Sequence, residues 1–403
     1  MDSGNKVIII GKNHHHILAM ARVFGVNGIK PYGIFTGMFS VMGFARRSKY
    51  WRKVWSAKNN AQVIDILRRE FQNETQKPVV IPCSDAAAIE LDNHLDELSQ
   101  KYILGSFNHQ QGKIPQLMDK FSQVEFVKNN LGLNMAESFI INLADGNIPA
   151  GLPFPCIVKP VVSAEGNKGD IRKFDDIESL RDYLGVLKSK GYERILAQRF
   201  IDFDYECNMV GCCGDTVSYT LNKIIRRWPI VGGTVCFSHC LGNESEHETC
   251  RNVLEKLSAL GYSGMINIEF LSVNKELYIN EINWRNGGEV FTCMGTKVFS
   301  PLIWYWSVTG QSGKIQNIPL TTKDTSLYGM DERNDIAHVI NLGLNSGRLS
   351  LREWVRDVKR SCSFSAWYKD DKLPAFWSYP SALFLSLIPL GAKEFIKKLL
   401  KWK

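Results

Sequence analysis

Residues 1–112 alternate short apolar runs with longer stretches in which apolar residues recur at helical spacing. The runs predict strands and the stretches predict helices. In chain order they are KVIIIG, HHHILAMARVFGVNGIKP, PYGIFTG, AQVIDILRREF, KPVVIPCSD and DAAAIELDNHLDELSQKY. We expect Asn13 to be the N-cap of the first helix. Strands that alternate with helices indicate a parallel, doubly wound sheet, so residues 1–112 are predicted to form an α/β domain.

From residue 113 the pattern becomes typical of antiparallel structure. MDKFSQVEFVKNNLG reads as an amphipathic helix, and FPCIVKPVVSAEGNKGDIRKF reads as strand, loop and strand. A hairpin turning at CGD, a helix stopped by Gly261 and a hairpin turning at Asn274 and Lys275 follow. These elements predict a second domain over residues 113–312.

Polar side chains in the last predicted hairpin carry the strongest chemical signal. Glu281, Asn283 and Arg285 alternate with apolar residues, so all three project to one face of a strand. Glu269 lies on the preceding strand among apolar neighbours, where a second carboxylate would repel Glu281. Magnesium bound to phosphates would remove this repulsion, because the ion prefers oxygen ligands. The alternative is a solvated polar face.

Basic residues elsewhere in the chain are weaker candidates for contacts with a phosphate or a substrate. Lys159 ends the strand CIVKP, ahead of a loop with glycines and Lys168 that could close over phosphates. We expect Arg226 and Arg227 to hold a carboxylate substrate or a phosphate, the alternative being a solvated basic turn. For Ser84 and Asp85, which follow an apolar strand, helix capping is favoured over substrate contact.

Composition narrows the class of protein. The chain has 403 residues, a formal net charge of +8 and ten cysteines. This mildly basic balance suits anionic small molecules or a membrane surface, and we expect no nucleic-acid partner. The scattered cysteines and the absence of a secretory signal predict a cytoplasmic protein with free thiols and no zinc site at Cys207, Cys212 and Cys213.

The turn after the first predicted strand, GKNHHHI, lacks the G-x-G-x-x-G fingerprint of dinucleotide-binding domains. A nicotinamide-dependent dehydrogenase is therefore disfavoured. For His14, His15 and His16, capping and packing at a helix start is the preferred interpretation. A metal or substrate site stays open as the alternative.

Several of these segments, in this order and spacing, resemble the ATP-grasp superfamily. They are MDK, IVKP, the glycine-containing loop, LAQRFI, NIEF and NEINWR, and the resemblance covers about Met1 to Gly310. Within the superfamily the chain looks like the carboxylate–amine ligases of the D-aspartate ligase type, some of which are linked to cell-surface polysaccharide synthesis. The resemblance implies an α/β (α+β) fold with a Rossmann-like pre-ATP-grasp domain, then an ATP-grasp domain with a mobile lid over about residues 135–198.

The resemblance also implies roles for individual residues. Phosphate contacts would come from Lys120 and Lys159, together with Ser163, Gly166 and Lys168 of the lid loop. Adenine would lie at Gln198, Phe200 and Ile201, and Glu206 would bind the ribose. Glu269, Glu281 and Asn283 would hold Mg2+, or Mn2+ in its place, and Arg285 would stabilise the transferring phosphate. Two features depart from the family: glutamate is often found where this chain has Gln198 or Arg199, and the lid loop is poor in glycine.

The activity implied is ATP-dependent activation of a carboxylate as an acyl phosphate, which an amine then converts to an amide. The acid and amine would be small molecules or linked to a glycan. A non-catalytic ATP-binding module of a membrane-associated assembly and an ATP-grasp kinase are the alternatives. A homodimer is a further expectation.

The polar stretch from Thr321 to Asn334 predicts a separate C-terminal extension, residues 313–403. Its last segment, AKEFIKKLLKWK, places apolar residues on one helical face and lysines on the other. Such a helix can lie on an anionic membrane, so residues 380–403 are a candidate for peripheral contact with the inner face of a membrane. Docking of this helix onto the protein is the alternative.

Overall fold

The computed structural model describes residues 4–37, 43–161, 168–228, 233–340 and 349–387. The chain begins with a five-stranded parallel sheet in the order β3-β2-β1-β4-β5. Its strands are β1 Val7–Lys12, β2 Tyr32–Thr36, β3 Lys53–Ala57, β4 Val79–Pro82 and β5 Ile103–Leu104. The helices are α1 His15–Val26, α2 Asn60–Glu70, α3 Asp85–Asn93 and α4 Leu95–Leu98. The doubly wound sheet predicted from the sequence is confirmed.

Both faces of this sheet are buried, which explains the unbroken apolar run of β1. Ile8 and Ile10 pack into one core with α2 and α3, while Val7 and Ile9 pack into another with α1 and the rest of the chain. The strand order reverses direction between β1 and β4, so the loops after these two strands border a crevice at the carboxyl edge of the sheet. Such a crevice is where open α/β sheets bind ligands.

A second, four-stranded antiparallel sheet has the order β7-β10-β8-β9. Helices α5 Lys113–Met118 and α6 Lys120–Phe126, the latter continuing as a π-helical turn over Val127–Leu131, lead into it. Its strands are β7 Ser138–Asn142, β8 Cys156–Pro160, β9 Arg172–Phe174 and β10 Arg194–Arg199, and α7 Ile177–Ser189 packs on one face. This unit occupies the region predicted to be the lid.

The largest sheet has eight strands, mostly antiparallel, in the order β15-β14-β11-β12-β13-β16-β17, with β6 Ser106–Phe107 paired to β14. The others are β11 Tyr205–Cys213, β12 Ser218–Trp228, β13 Thr234–Cys240, β14 Tyr262–Val273, β15 Glu276–Asn283, β16 Tyr328–Met330 and β17 Ser361–Phe364. Helix α8, Glu244–Ala259, packs on one face with Ile268, Ile282 and Trp284. The turn between β14 and β15 holds Asn274 and Lys275 at φ of 50° and 68°, where the sequence places it.

The C-terminal region is built into this sheet. Short helices α9 Cys293–Thr296 and α10 Ser300–Val308 precede β16, and α11 Glu332–His338, α12 Leu351–Arg360 and α13 Leu373–Leu387 follow it. Because β16 pairs with β13, the polar stretch from Thr321 to Asn334 is not a linker throughout. The buried Arg22 of α1 donates to Asp371, which ties the last described segment to the first domain. The boundaries at residues 112 and 312 stay predictions.

Two local predictions were wrong. The N-cap of α1 is His14 and not Asn13, whose Oδ1 accepts a hydrogen bond from the Ala45 N–H instead. The stretch from Asp85 to Tyr102 was predicted as one helix, but it divides at His94 into α3 and α4. The segment AKEFIKKLLKWK lies outside the described residues. None of the helices within them is long and apolar enough to cross a bilayer.

Candidate functional site

The face of β14 and β15 opposite α8 carries the predicted acidic residues. Glu269 and Glu281 lie directly opposite each other on the two antiparallel strands, and Ile268 pairs with Ile282 on the buried side. The register shifts just after Glu269, so that Phe270 pairs with Ile279 and Asn280 is left as the extra residue of a bulge. Bulges re-aim side chains, and this one turns Asn280 toward Lys159.

Two lysines lie above this carboxylate pair. The Lys159 Nζ is 3.4 Å from Asn280 Oδ1, and the Lys120 Nζ is 3.5 Å from Glu281 Oε1. Burial, followed by the charge of Lys120, lowers the pKa of Lys159 to about 7, and Glu281 and Glu269 only partly oppose this. Four of the predicted residues therefore meet at the boundary between the four-stranded sheet and the largest sheet.

Backbone contacts of α6 fix the position of Lys120. The Lys120 N–H donates to the carbonyl of Val161 just beyond β8, at 3.2 Å. The Gln123 side chain donates to the Ile282 carbonyl and accepts from the Ile282 N–H, both at 2.7 Å, so it satisfies the backbone of the edge strand β15. Helix α6 thus holds Lys120 between β8 and β15. Sequence analysis did not identify Gln123.

Arg285 joins the largest sheet to the first domain. Its Nε donates to Asp85 Oδ1 at 2.7 Å, and its Nη2 donates to Asn283 Oδ1 at 3.0 Å. Ser84 caps α3 through its Oγ, which accepts from the Ala87 N–H, as the sequence predicts. Asp85, at the carboxyl edge of the first sheet, orients the arginine and so brings the crevice of the first domain to this site.

Arg226 and Arg227 have different surroundings, because β12 is irregular at these two residues. Arg227 donates to Glu206 Oε2 at 2.5 Å and to the Gly233 carbonyl at 3.0 Å. Burial lowers the pKa of Arg227, but the charges of Glu269 and Glu206 outweigh it and raise the pKa overall. Arg227 and Glu206 therefore border the acidic cluster.

Arg226 requires a correction. Its Nε and Nη2 donate to the two carboxylate oxygens of Asp335 at 2.9 and 3.0 Å, and its Nη1 donates to Asp357 at 2.5 Å. Both aspartates are buried, at 0% and 3% exposed. Three of the guanidinium donors are thus engaged in joining β12 to α11 and α12, so we no longer place Arg226 on a substrate.

The predicted adenine contacts are at the end of β10. Gln198 is buried and its Nε2 donates to Ser138 Oγ at 2.6 Å, which leaves its Oε1 as an acceptor. The Phe200 N–H donates to the Pro155 carbonyl at 2.8 Å. This backbone donor is therefore already paired within the protein, whereas we had expected adenine to bind at Phe200. Ile201 follows, half-buried. Ser163 and Gly166 lie outside the described residues, and Lys168 begins a short 3-10 helix, Lys168–Asp170.

Sequence analysis missed a polar row that crosses the largest sheet. Register places Glu281, Glu269, Asn208 and Asn222 directly opposite one another on β15, β14, β11 and β12. Residues so paired project to the same face. A period of two within each strand was visible in the sequence, but which strands are neighbours was not.

Glu289 is a second polar residue of this region that sequence analysis did not identify. It is 2% exposed and accepts hydrogen bonds from Asn208 Nδ2 at 2.7 Å and from Ser238 Oγ at 2.5 Å. Burial raises the pKa of Glu289 to about 6, against the effect of these two donors. Its position directly after NWRNGG was the only sequence signal. The network links the segment after β15 to the polar row at Asn208.

Taken together, the site offers a cationic part, Lys120, Lys159 and Arg285, and an oxygen-rich part, Glu269, Glu281 and Asn283. Two carboxylates and an amide oxygen are suitable ligands for magnesium, a hard cation. The cations suit phosphate oxygens. The Arg285 nitrogens donate to Asp85, Asn283 and the Asn286 carbonyl, so its contribution here is a positive charge held in place by the protein. The donor set therefore fits a nucleotide phosphate with its metal ion.

No family model matches the chain. Among curated proteins, formate-dependent phosphoribosylglycinamide formyltransferase of Mannheimia succiniciproducens is 27% identical over 150 residues, which are 36% of this chain and 38% of that protein. The chain therefore matches well under half the length of this relative.

Solved structures are similar over more of the chain. N5-carboxyaminoimidazole synthetase from Staphylococcus aureus has a TM-score of 0.58 at 16% identity and covers 78% of this chain and 79% of its own. L-amino acid ligase from Bacillus licheniformis has a TM-score of 0.58 at 16% identity, covering 79% and 78%. A complex of the same synthetase with ADP is also similar, with a TM-score of 0.57. These likenesses confirm the predicted α/β fold class.

Proposed function

We propose that this protein is an ADP-forming ligase that uses ATP and magnesium to join a carboxylate to an amine. The observation that carries the proposal is the meeting of Lys120 and Lys159 with Glu269 and Glu281 between two sheets. Without a ligand, two carboxylates lie directly opposite each other and two ammonium groups lie close together above them, so each pair of like charges repels. A phosphate chain with its metal ion would relieve both repulsions.

Within the proposal, Lys120 and Lys159 bind the phosphates, and Glu269, Glu281 and Asn283 hold the metal. Magnesium supplies charge neutralisation and orients the phosphate oxygens. Glu206 at the ribose, Gln198 and Ile201 at adenine, and Ser163, Gly166 and Lys168 over the phosphates keep the roles that the resemblance implies. Arg227 neighbours Glu206 and is placed at the carboxylate substrate or the phosphate.

The chemistry follows from the poor reactivity of a carboxylate. An oxygen of the acid attacks the γ-phosphorus of ATP, the bond to the bridging oxygen breaks, and ADP leaves. The amine then attacks the acyl carbon, phosphate departs, and the amine loses a proton as the amide forms. Arg285 lies where it can neutralise charge on the transferring phosphoryl group, and Asp85 keeps it in place. Closure of the four-stranded sheet would exclude water from the acyl phosphate.

The names of similar proteins support this class of reaction. One is a formate-dependent formyltransferase, one an L-amino acid ligase and one a carboxyaminoimidazole synthetase. We place the substrates among small acids and amines, with a glycan-linked acceptor and the D-aspartate ligase type as the narrower proposal. The competing hypotheses are an ATP-binding module without catalytic activity and a kinase.

Calorimetry with MgATP, comparing wild type with Glu281→Gln, tests the nucleotide site first. We expect binding that weakens in the variant, because one metal ligand is lost, while Glu276→Gln on an exposed part of the same strand should behave as wild type. Incubation with a panel of acids and amines then tests the reaction. Release of ADP separates an enzyme from a module, and a product mass without phosphate separates a ligase from a kinase. An absence of ADP with every pair would refute the ligase proposal.

We also propose peripheral contact with an anionic membrane. In α13, which begins the apolar C-terminal stretch, Phe376 is 63% exposed and Trp377 is 51% exposed. The Arg47 guanidinium lies 4.3 Å from the centre of the Trp377 ring, so a cation borders this apolar surface. Exposed aromatic residues beside basic ones favour an anionic interface. Flotation with anionic liposomes should recover wild type but not a Phe376→Ser/Trp377→Ser variant, and equal recovery would exclude this surface. Sedimentation of the same preparations tests the expected homodimer.

A further inference from the structure

Three consecutive histidines converge at the carboxyl end of β1. The ring centres of His14, His15 and His16 are 4.0 to 4.7 Å apart, and one ligand atom from each lies within 4.8 Å of the others. Nδ1 of His14 and Nδ1 of His15 are buried and have no hydrogen-bond partner. Leaving a buried polar atom unpaired costs about 1–3 kcal/mol, and a ligand bound between the rings would remove this cost.

The donors that this cluster offers are imidazole nitrogens. Neutral imidazole is a common ligand of zinc and similar ions and a poor ligand of magnesium.

A carboxylate completes the set. Asp331 is fully buried, and its Oδ2 lies 3.5 Å from His15 Nδ1. Two ligand atoms at about 2.0–2.1 Å from a tetrahedral zinc ion are about 3.3 Å apart, so this pair is already at the right spacing. Asn334 and Ser365 donate to the same carboxylate and fix its orientation, as outer-shell partners do in metal sites.

The surroundings connect this cluster to the rest of the molecule. Gly288 packs so closely on His16 that a Cβ built there would lie 2.7 Å from its Nε2. The positive charges of Arg333 and Lys12 act on His14, and that of Arg285 acts on His16. These cations weaken the attraction for a metal ion, and the carboxylate of Asp331 opposes them.

We infer that His14, His15 and His16, joined by Asp331, form a binding site for one divalent transition-metal ion of the zinc class. The site lies in the crevice between the first domain, the segment after β15 and the C-terminal region, and an ion there would fasten the first domain to the C-terminal region. It shares no ligand with the oxygen-lined magnesium site proposed above. The inference does not depend on the ligase proposal.

Zinc titration of the untagged, chelator-stripped full chain against a chromogenic chelator tests the site. We expect about one tight equivalent per chain. His14→Asn should weaken binding by at least about 100-fold, since outer-shell partners alone are worth about 10–100-fold. Cys362→Ser, which removes the exposed thiol, and His94→Gln, at a surface histidine, should leave it unchanged.

Cobalt provides a readout that does not depend on whether a variant folds. Cobalt-loaded wild type should show the intense visible absorption of a four-coordinate site with nitrogen ligands, and zinc should displace it. A weak spectrum typical of hydrated cobalt, or tight zinc binding that is retained in His14→Asn and lost in Cys362→Ser, would overturn the assignment. Neither assay contains ATP or magnesium, so failure here would leave the ligase proposal intact.

Discussion

Lys159 should make the binding of MgATP strongly dependent on pH. In the structure burial and then Lys120 hold the pKa of Lys159 at about 7, below its ordinary 10.5. A triphosphate placed against the ammonium would oppose both effects and return the pKa to about its ordinary value. ATP binding would then be accompanied by proton uptake at any pH where free Lys159 is neutral.

The expected size follows from these two pKa values. The protonated fraction of Lys159 in the free protein falls from about 0.9 at pH 6 to about 0.01 at pH 9. Affinity for MgATP should therefore fall about 90-fold over this range, which is about 2.7 kcal/mol. At pH 8 about 0.9 proton should be taken up for each ATP bound.

The lowered pKa of Lys159 affects folding stability with the opposite pH dependence. Because the folded-state pKa lies below the unfolded value, the unfolded chain binds the additional proton between about pH 7 and pH 10.5. The contribution of Lys159 to stability is therefore least favourable below pH 7 and improves as the pH rises through that window. Weaker ATP binding at high pH would not reflect a loss of the fold at this residue.

Calorimetry from pH 6 to pH 9, repeated at pH 8 in two buffers of different ionisation enthalpy, measures both affinity and proton uptake. Lys159→Met should bind more weakly at pH 6 and lose the pH dependence, while Lys101→Met, at an exposed lysine, should match wild type. Lys120→Met removes a neighbouring charge, so the fall in affinity should move to higher pH. Affinity that is flat in wild type, or equally pH-dependent in Lys159→Met, would refute the reasoning.

Three further predictions concern the surroundings of this site. Arg285→Lys keeps the charge but loses the fixed fork, so kcat should fall by about 100-fold or more in an ADP-release assay, with little change in the KM for ATP. Glu289→Gln removes a carboxylate whose pKa is raised to about 6 and which therefore lowers the stability of the wild type as the pH rises. The unfolding free energy of the variant minus that of the wild type, measured in urea, should rise by about 2 kcal/mol from pH 4.5 to pH 8. Arg226→Met strands the buried carboxylates of Asp335 and Asp357 and should cost about 3–5 kcal/mol in the same urea experiment, whereas a change under 1 kcal/mol would contradict the structural role.

The sequence alone was sufficient where a pattern is local. Glu281 and Asn283 share a face because side chains alternate along any strand, and Ile282 between them is buried as that alternation requires. The turn at Asn274 and the helix end at Gly261 likewise follow from the residues themselves, because asparagine and glycine tolerate positive φ. The order of strands and helices gave the parallel first sheet and the antiparallel remainder.

The different partners of two adjacent, identical residues were not predictable from sequence. Arg226 and Arg227 read alike, yet the irregular register of β12 sends one to Asp335 and Asp357 and the other to Glu206. A bulge is a property of two paired strands, so a single strand does not reveal it.

Long-range partners were decided only by tertiary structure. The chain separates Asp85 from Arg285 by 200 residues, and packing of the first domain against β15 brings them to 2.7 Å. The low pKa of Lys159 depends on burial and on Lys120, neither of which its own strand indicates. Sequence determined which side chains each strand and helix presents, because that depends on backbone periodicity. The fold determined which of them meet, because pairing, burial and electrostatics are set by segments far apart in the chain.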